Sequence, residues 1–129
     1  MSIFDRIKFQ EDGLVPAVIV DDVSGMVLTL CYMNREAVEK TLATGKVHVY
    51  RRSKKQLMQK GETSGHTQAV KKIFIDCAGN SLLIRVDQNV AACHAGYFTC
   101  YYTKYNPETD TTETVGGKVF EPKEVYKRP

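Results

Sequence analysis

Two apolar runs, residues 14–20 and 26–33, lie near the start of the chain with Asp21-Asp22-Val23-Ser24-Gly25 between them. Turn-forming residues between segments rich in Val, Ile and Leu predict a β-hairpin. The pattern then changes to a helical period. Asn34 suits an N-cap, Glu36 the positive end of the dipole, and Met33 a staple against Val38. Val38 and Leu42 share a face, and Gly45 ends the helix. The apolar face is narrow, as in a short helix lying on a sheet.

Alternation returns at Val47-His48-Val49-Tyr50, a predicted strand in which His48 reads as structural. A polar stretch, residues 51–68, follows. Residues 70–76 and 81–87 are β-rich and flank Ala78-Gly79-Asn80, a tight-hairpin signal because Gly and Asn tolerate positive φ. Residues 97–105 predict a further aromatic and β-branched strand, and the tail, residues 106–129, is polar with an edge hairpin expected around Gly116-Gly117. The sum is mainly β (α+β): one β-rich domain over residues 1–129 with one clear helix.

Composition bounds the function. The 129 residues are 43% hydrophobic, enough for one core. Eighteen Lys and Arg against fifteen Asp and Glu leave a net charge of only +3, short of the excess typical of nucleic-acid binders. The nucleic-acid reading rests on residues 51–55 and Lys71-Lys72 alone. No apolar stretch is long enough to span a membrane, and the N-terminus lacks the apolar core of a secretory signal, so a cytoplasmic protein is expected. Walker A, G-x-G-x-x-G, H-E-x-x-H and G-x-S-x-G patterns are all missing from the sequence.

The four cysteines change the picture most. In a reducing compartment, clustered cysteines bind metal or react more often than they pair. Cys77 shares strand parity with Ile73 and Ile75, which predicts that it points toward the core. Cys77, Cys93 and Cys100 could supply three thiolates to a zinc ion with an open fourth position; equally, free cysteines are common as small buried hydrophobes. Cys31, inside an apolar run, reads as core. His94, next to Cys93, is placed either to move protons or to make a structural hydrogen bond. The loop Gly61-Glu62-Thr63-Ser64-Gly65-His66, with Lys60 before it and Arg51, Arg52, Ser53, Lys54 and Lys55 nearby, could grip phosphate or be a solvated basic loop. Asp76 and Asn80 have a spacing that could hold a hard cation, against the plainer reading of an ordinary turn aspartate.

Taken in order, Gly13-Leu14-Val15-Pro16-Ala17-Val18, Tyr32-Met33-Asn34-Arg35-Glu36-Ala37, Lys60-Gly61-Glu62-Thr63-Ser64-Gly65-His66-Thr67-Gln68, Asp76-Cys77, Ala92-Cys93-His94 and Cys100-Tyr101-Tyr102 form a set. It resembles the phosphoribosyl-AMP cyclohydrolase family of histidine biosynthesis over roughly residues 13–103. The resemblance implies a barrel-like, intertwined cytoplasmic homodimer that opens the purine ring of 1-(5-phosphoribosyl)-AMP between N1 and C6. It also implies zinc held by Cys77 of one chain with Cys93 and Cys100 of the other, and a magnesium site that includes Asp76. His94 and His66 would move protons, while Arg51, Arg52, Ser53, Lys60, Thr63 and Ser64 would orient the phosphates or the base.

Departures from the family pattern are specific. Two aspartates of the magnesium motif are Ala78 and Asn80, arginines before the last cysteine are Tyr97 and Phe98, and the arginine ending that strand is Thr103. Tyr50 and Met58 stand in place of expected tryptophans. Two rivals therefore accompany the leading expectation. One is a divergent zinc hydrolase acting on another purine-like or cyclic amidine substrate. The other is a non-catalytic, zinc-stabilised dimer that binds a nucleotide.

Overall fold

The chain is seen as a computed structural model that describes residues 2–60, 67–88 and 98–116. A four-stranded sheet in the order β2 (Val27–Met33), β1 (Val15–Asp21), β6 (Leu82–Gln88), β5 (Gln68–Ile75) forms its centre. Strands β1 (Val15–Asp21) and β2 (Val27–Met33) make the first predicted hairpin, antiparallel with Val18 opposite Leu30. Asp21 closes the turn: its Oδ2 accepts hydrogen bonds from Ser24 N at 2.9 Å and Ser24 Oγ at 2.6 Å. Pro16 lies in β1, a strand with neighbours on both sides, yet the parallel pairing with β6 starts only at Ala17. The residue lacking an N–H thus falls where the strand still has an open side.

The helix α1 (Arg35–Thr44) starts and stops where its caps predict. Asn34 Oδ1 accepts from Ala37 N at 2.8 Å, and Gly45 ends the helix in the left-handed region with φ of 74°. Val38 is buried in the same cluster as Met33, as the staple requires, whereas Leu42 is exposed. Thr41 fastens the helix to the next strand. Its Oγ1 donates to Ala37 O at 2.8 Å and accepts from His48 N at 2.9 Å. His48 is buried with Nδ1 2.9 Å from Lys46 O, the structural role expected of it.

Strands β3 (His48–Arg51) and β4 (Gln56–Gln59) pair antiparallel. The sequence pattern hides β4, because Gln56-Leu57-Met58-Gln59 has no β-branched or aromatic residue. Strands β5 (Gln68–Ile75) and β6 (Leu82–Gln88) form the second predicted hairpin, with Ile75 opposite Leu82 and Gln68 opposite Gln88. Val15, Ala17, Ile19, Leu82, Ile84 and Val86 bury one face of the sheet with Val38, Val47 and Val49.

Beyond residue 98 the expectation changes. The predicted strand over residues 97–105 shrinks to β7 (Thr103–Asn106), which pairs with β8 (Thr111–Thr114). Before β7, Cys100 N donates to Leu28 O at 2.7 Å and Thr99 Oγ1 to Val27 O at 2.7 Å, so the segment is pinned to β2 without a continuous ladder. The tail forms a hairpin between β7 and β8 that turns at Asp110 with φ of 54°, while the hairpin expected around Gly116-Gly117 runs into residues outside the described ones. Among the described residues the sheet is open and does not close into a barrel.

Candidate active site

The β5–β6 turn carries Asp76 and Cys77. Asp76 Oδ1 accepts from Ala78 N at 3.1 Å and Asn80 N at 2.8 Å, and Oδ2 accepts from Ser81 Oγ at 2.7 Å. The Ser81 hydroxyl, then the turn amides, hold this carboxyl below its ordinary value. Both oxygens therefore serve the turn itself. Gly79 adopts φ of 79°, and a Cβ there would collide with the Arg6 carbonyl. Lys8 N donates to Gly79 O at 2.8 Å, so the N-terminal segment straps this turn from outside.

Strand β5 stops at Ile75, one residue before the turn, and this overrides the parity argument for Cys77. Ile73 and Ile75 pack on the core, whereas Cys77 is exposed. Cys100 is half-buried beside β2, and neither thiol is in a disulfide. Cys31 behaves as core: its Sγ donates to Ala17 O at 3.6 Å, and burial pushes the thiol up to about 12. Of the remaining site candidates, Thr63, Ser64, His66, Cys93 and His94 lie outside the described residues.

The positions of Cys77 and Cys100 within the sheet decide how thiolates could be shared. Cys100 is attached to β2 at Leu28, near the Val20 end of β1. Cys77 follows β5, at the opposite edge and beyond the opposite end, where β5 and β6 join. Along the strand direction, four residues of about 3.3 Å separate the level of Leu28 from Cys77, on the order of 13 Å. Cys77 and Cys100 of one chain therefore lie toward opposite ends of the sheet. A zinc ion holds sulfur at about 2.3 Å. Among the described residues, which do not include His66, Cys93 or His94, no three His, Cys, Asp or Glu side chains gather.

The basic candidates surround the β3–β4 connection. Arg51 ends β3, and Arg52 and Ser53 are exposed in the turn. The Arg52 guanidinium stacks 3.9 Å from the centre of the Tyr32 ring, which fixes one cation of this group on β2. Tyr32 was not a sequence candidate; an aromatic inside an apolar strand offers no signal for such a contact. Lys60 N donates to Val47 O at 2.8 Å, and the Lys60 charge acts on the Cys31 thiol, opposing the effect of burial.

The sequence pattern of the family described as phosphoribosyl-AMP cyclohydrolase matches residues 29–102. A relative of that name from Pelotomaculum thermopropionicum is 50% identical over 123 residues, covering 95% of this chain and 94% of the relative. Another, from Methanosarcina barkeri, is 52% identical over 124 residues, covering 96% and 92%. The chain belongs to this family. It is a cyclohydrolase, a hydrolase acting on a cyclic amidine C–N bond. Membership favours the catalytic reading over a module that only binds nucleotide. No helix among the described residues is long and apolar enough to cross a membrane.

The donor sets differ in what they fit. Exposed or half-buried thiols outside disulfides suit zinc, a borderline-soft ion. Magnesium needs oxygen ligands, and this turn offers one carboxylate whose oxygens already accept three hydrogen bonds, beside the methyl of Ala78. The turn does not fit magnesium as its family pattern would require.

Proposed function

We propose that this chain adds water to C6 of the purine ring of 1-(5-phosphoribosyl)-AMP and opens the N1–C6 bond, a cytoplasmic step of histidine biosynthesis. The observation that carries the reading is the 50% identity to a protein of that name across nearly the full length of both chains. The hydroxyl oxygen of water joins C6, the N1–C6 bond breaks, and a proton is delivered to N1. A zinc ion held by Cys77, Cys93 and Cys100 would supply hydroxide near neutral pH. His94 and His66 take up and return the protons. Arg51, Arg52, Ser53, Lys60, Thr63 and Ser64 orient the phosphates and the base, with Arg52 already braced on Tyr32.

The separation of Cys77 from Cys100 supports a homodimer in which each zinc takes ligands from both chains. A second feature agrees. Register aligns Leu30, Val18, Leu83 and Phe74 in one row across the sheet. Leu30, Leu83 and Phe74 are 45%, 37% and 52% exposed on the face opposite the core. A second copy stacked on that row, about a diagonal two-fold axis, would carry its Cys100 toward Cys77 at each of two equivalent corners.

The test is turnover of phosphoribosyl-AMP by protein of measured zinc content, with and without added magnesium. About one zinc per chain, with activity independent of magnesium, is expected. Zinc-free active protein would overturn the metal assignment. Zinc-loaded protein that leaves phosphoribosyl-AMP untouched would shift the assignment to another cyclic amidine substrate.

A further inference from the structure

Residues 51–55, Arg-Arg-Ser-Lys-Lys, put four cations into five positions, and the chain holds no carboxylate between Glu39 and Glu62. Like charges this close repel one another, and the turn has no local acid to offset them. All four cationic side chains are exposed, yet one of them is held. The Arg52 guanidinium carbon lies 3.9 Å from the centre of the Tyr32 ring on β2.

The stack leaves the useful part of the group open. A guanidinium lying flat on a ring keeps its N–H edge for a further partner. Arg85 and Arg35 spend theirs on carboxylates. Arg85 donates from Nε to Asp22 Oδ1 and from Nη2 to Asp22 O, each at 2.8 Å. Arg35 lies over Phe4 at 4.1 Å, but Glu39 stands 3.7 Å from its Nε. Among the described residues Arg52 forms no ion pair.

Register shows where Tyr32 places that edge. Tyr32 is opposite Pro16, one residue before Ala17, and Ala17 is level with Leu82 and Ile75. Cys77 comes just after Ile75 and Asp76, so Tyr32 and Cys77 lie toward the same end of the sheet. Tyr32 has the parity of exposed Leu30, which puts its ring on the face away from the core.

We infer that Tyr32 is a positioning residue: its ring holds the Arg52 guanidinium so that the free N–H edge receives a phosphate monoester of the nucleotide substrate. The inference deepens the proposed reaction and rests on it for the identity of that substrate. The ring acts through its face, so its hydroxyl is dispensable. A guanidinium fixed beforehand loses less side-chain freedom on binding than Arg51, Lys54 or Lys55 would. The gain is the same in ground state and transition state, so its loss raises KM and spares kcat. For an exposed stack the change is about two- to fivefold.

The experiment measures binding of 5′-AMP and of adenosine by calorimetry on the full chain, together with kcat and KM for phosphoribosyl-AMP. The variants are Tyr32→Phe, Tyr32→Leu, Arg52→Gln and the double variant Tyr32→Leu with Arg52→Gln. Tyr32→Phe should match the parent. Tyr32→Leu should weaken AMP binding and raise KM about two- to fivefold, with adenosine binding and kcat unchanged. Arg52→Gln should weaken AMP binding further, and adding Tyr32→Leu to it should change nothing more. Loss of affinity in Tyr32→Phe, equal loss for adenosine, or additive losses in the double variant overturns the inference. Should Tyr32→Leu not fold, the parent decides by NMR. Its Arg52 Nε–H resonance should shift as AMP is added and stay still with adenosine; a resonance indifferent to AMP overturns the inference. AMP binding separates this inference from the proposed reaction. A chain that grips AMP through Arg52 yet leaves phosphoribosyl-AMP untouched defeats the reaction alone. Turnover with an unchanged KM in Tyr32→Leu defeats the role of Tyr32 alone.

Discussion

The two hairpins of the sheet close with nearly the same chemistry and put it to different use. In the β1–β2 turn Asp21 accepts from Ser24, and in the β5–β6 turn Asp76 accepts from Ser81 and two amides. Both turns have a left-handed glycine, Gly25 at 78° and Gly79 at 79°. A Cβ on Gly25 meets nothing within 4 Å, whereas one on Gly79 meets the Arg6 carbonyl. The first turn is also held from outside, by Arg85 and Val86 on Asp22, but it carries no cysteine. The second holds an exposed cysteine, and the N-terminal segment packs onto it. Local sequence makes each turn and tertiary contact holds both; the β5–β6 turn is in addition a platform for a cysteine.

The sharpest way to break this comparison is to exchange the side chains that should matter least and most. If Cys77 holds zinc as proposed, Cys77→Ala should lower zinc content and reduce kcat more than roughly a hundredfold, beyond the effect of removing an outer-shell partner. Ser24→Ala should keep full activity and lose only about 0.5–1.5 kcal/mol of stability in denaturant unfolding. Equal activity in the two variants would remove the platform role from the β5–β6 turn.

The glycines give the next largest contrast. Gly25→Ala must place a Cβ in the left-handed region, which costs about 1–2 kcal/mol. Gly79→Ala adds the collision with Arg6 to the same strain, so its melting temperature should fall clearly further. Matching melting shifts would show that the N-terminal strap yields freely.

Acid titration offers a smaller effect. Asp76 has a folded-state value below the ordinary 3.8, so its contribution is present above that value and is lost as pH falls through the lowered one. Asp76→Asn should therefore flatten the acid limb of stability below about pH 4, measured by urea unfolding across pH. Asp22, lowered chiefly by its 2.8 Å bond to Arg85, contributes in the same direction, so the limb should not vanish.

The smallest contrast concerns the thiols. Cys31 is raised from 9.0 to about 12, so the burial of its neutral form favours folding below pH 9 and that contribution fades as pH rises toward 12. In metal-free protein near neutral pH, alkylating reagent should modify exposed Cys77 well before Cys31, as peptide mapping would show. Equal labelling would mean that the β1–β2 hairpin opens as readily as the turn at Cys77.

Much of the fold is legible along the chain because its determinants are local. Asn34, Gly45 and the two Asp-to-Gly turns act within a few residues of themselves, and the alternating apolar positions that bury the sheet's inner face act by period. The misreadings arise where a distant partner decides. Strand β4 forms because β3 lies beside it, and residues 98–102 fail to extend β7 because Thr99 and Cys100 bond to β2 instead. Cys77 departs from strand parity because Asp76 caps the turn one residue too early for alternation to reach it.

The candidate site divides in the same way. Its residue types and order, from Lys60 to Cys100, suffice to name the chemistry and the family, since motif identity is a property of the chain itself. Only the folded sheet decides which of those residues can meet. It places Cys77 and Cys100 at opposite corners, sets Arg52 on Tyr32, commits both oxygens of Asp76 to its own turn, and buries Gln68 against Gln88. Distance across a sheet depends on strand order, and strand order is settled by long-range pairing that no local period encodes.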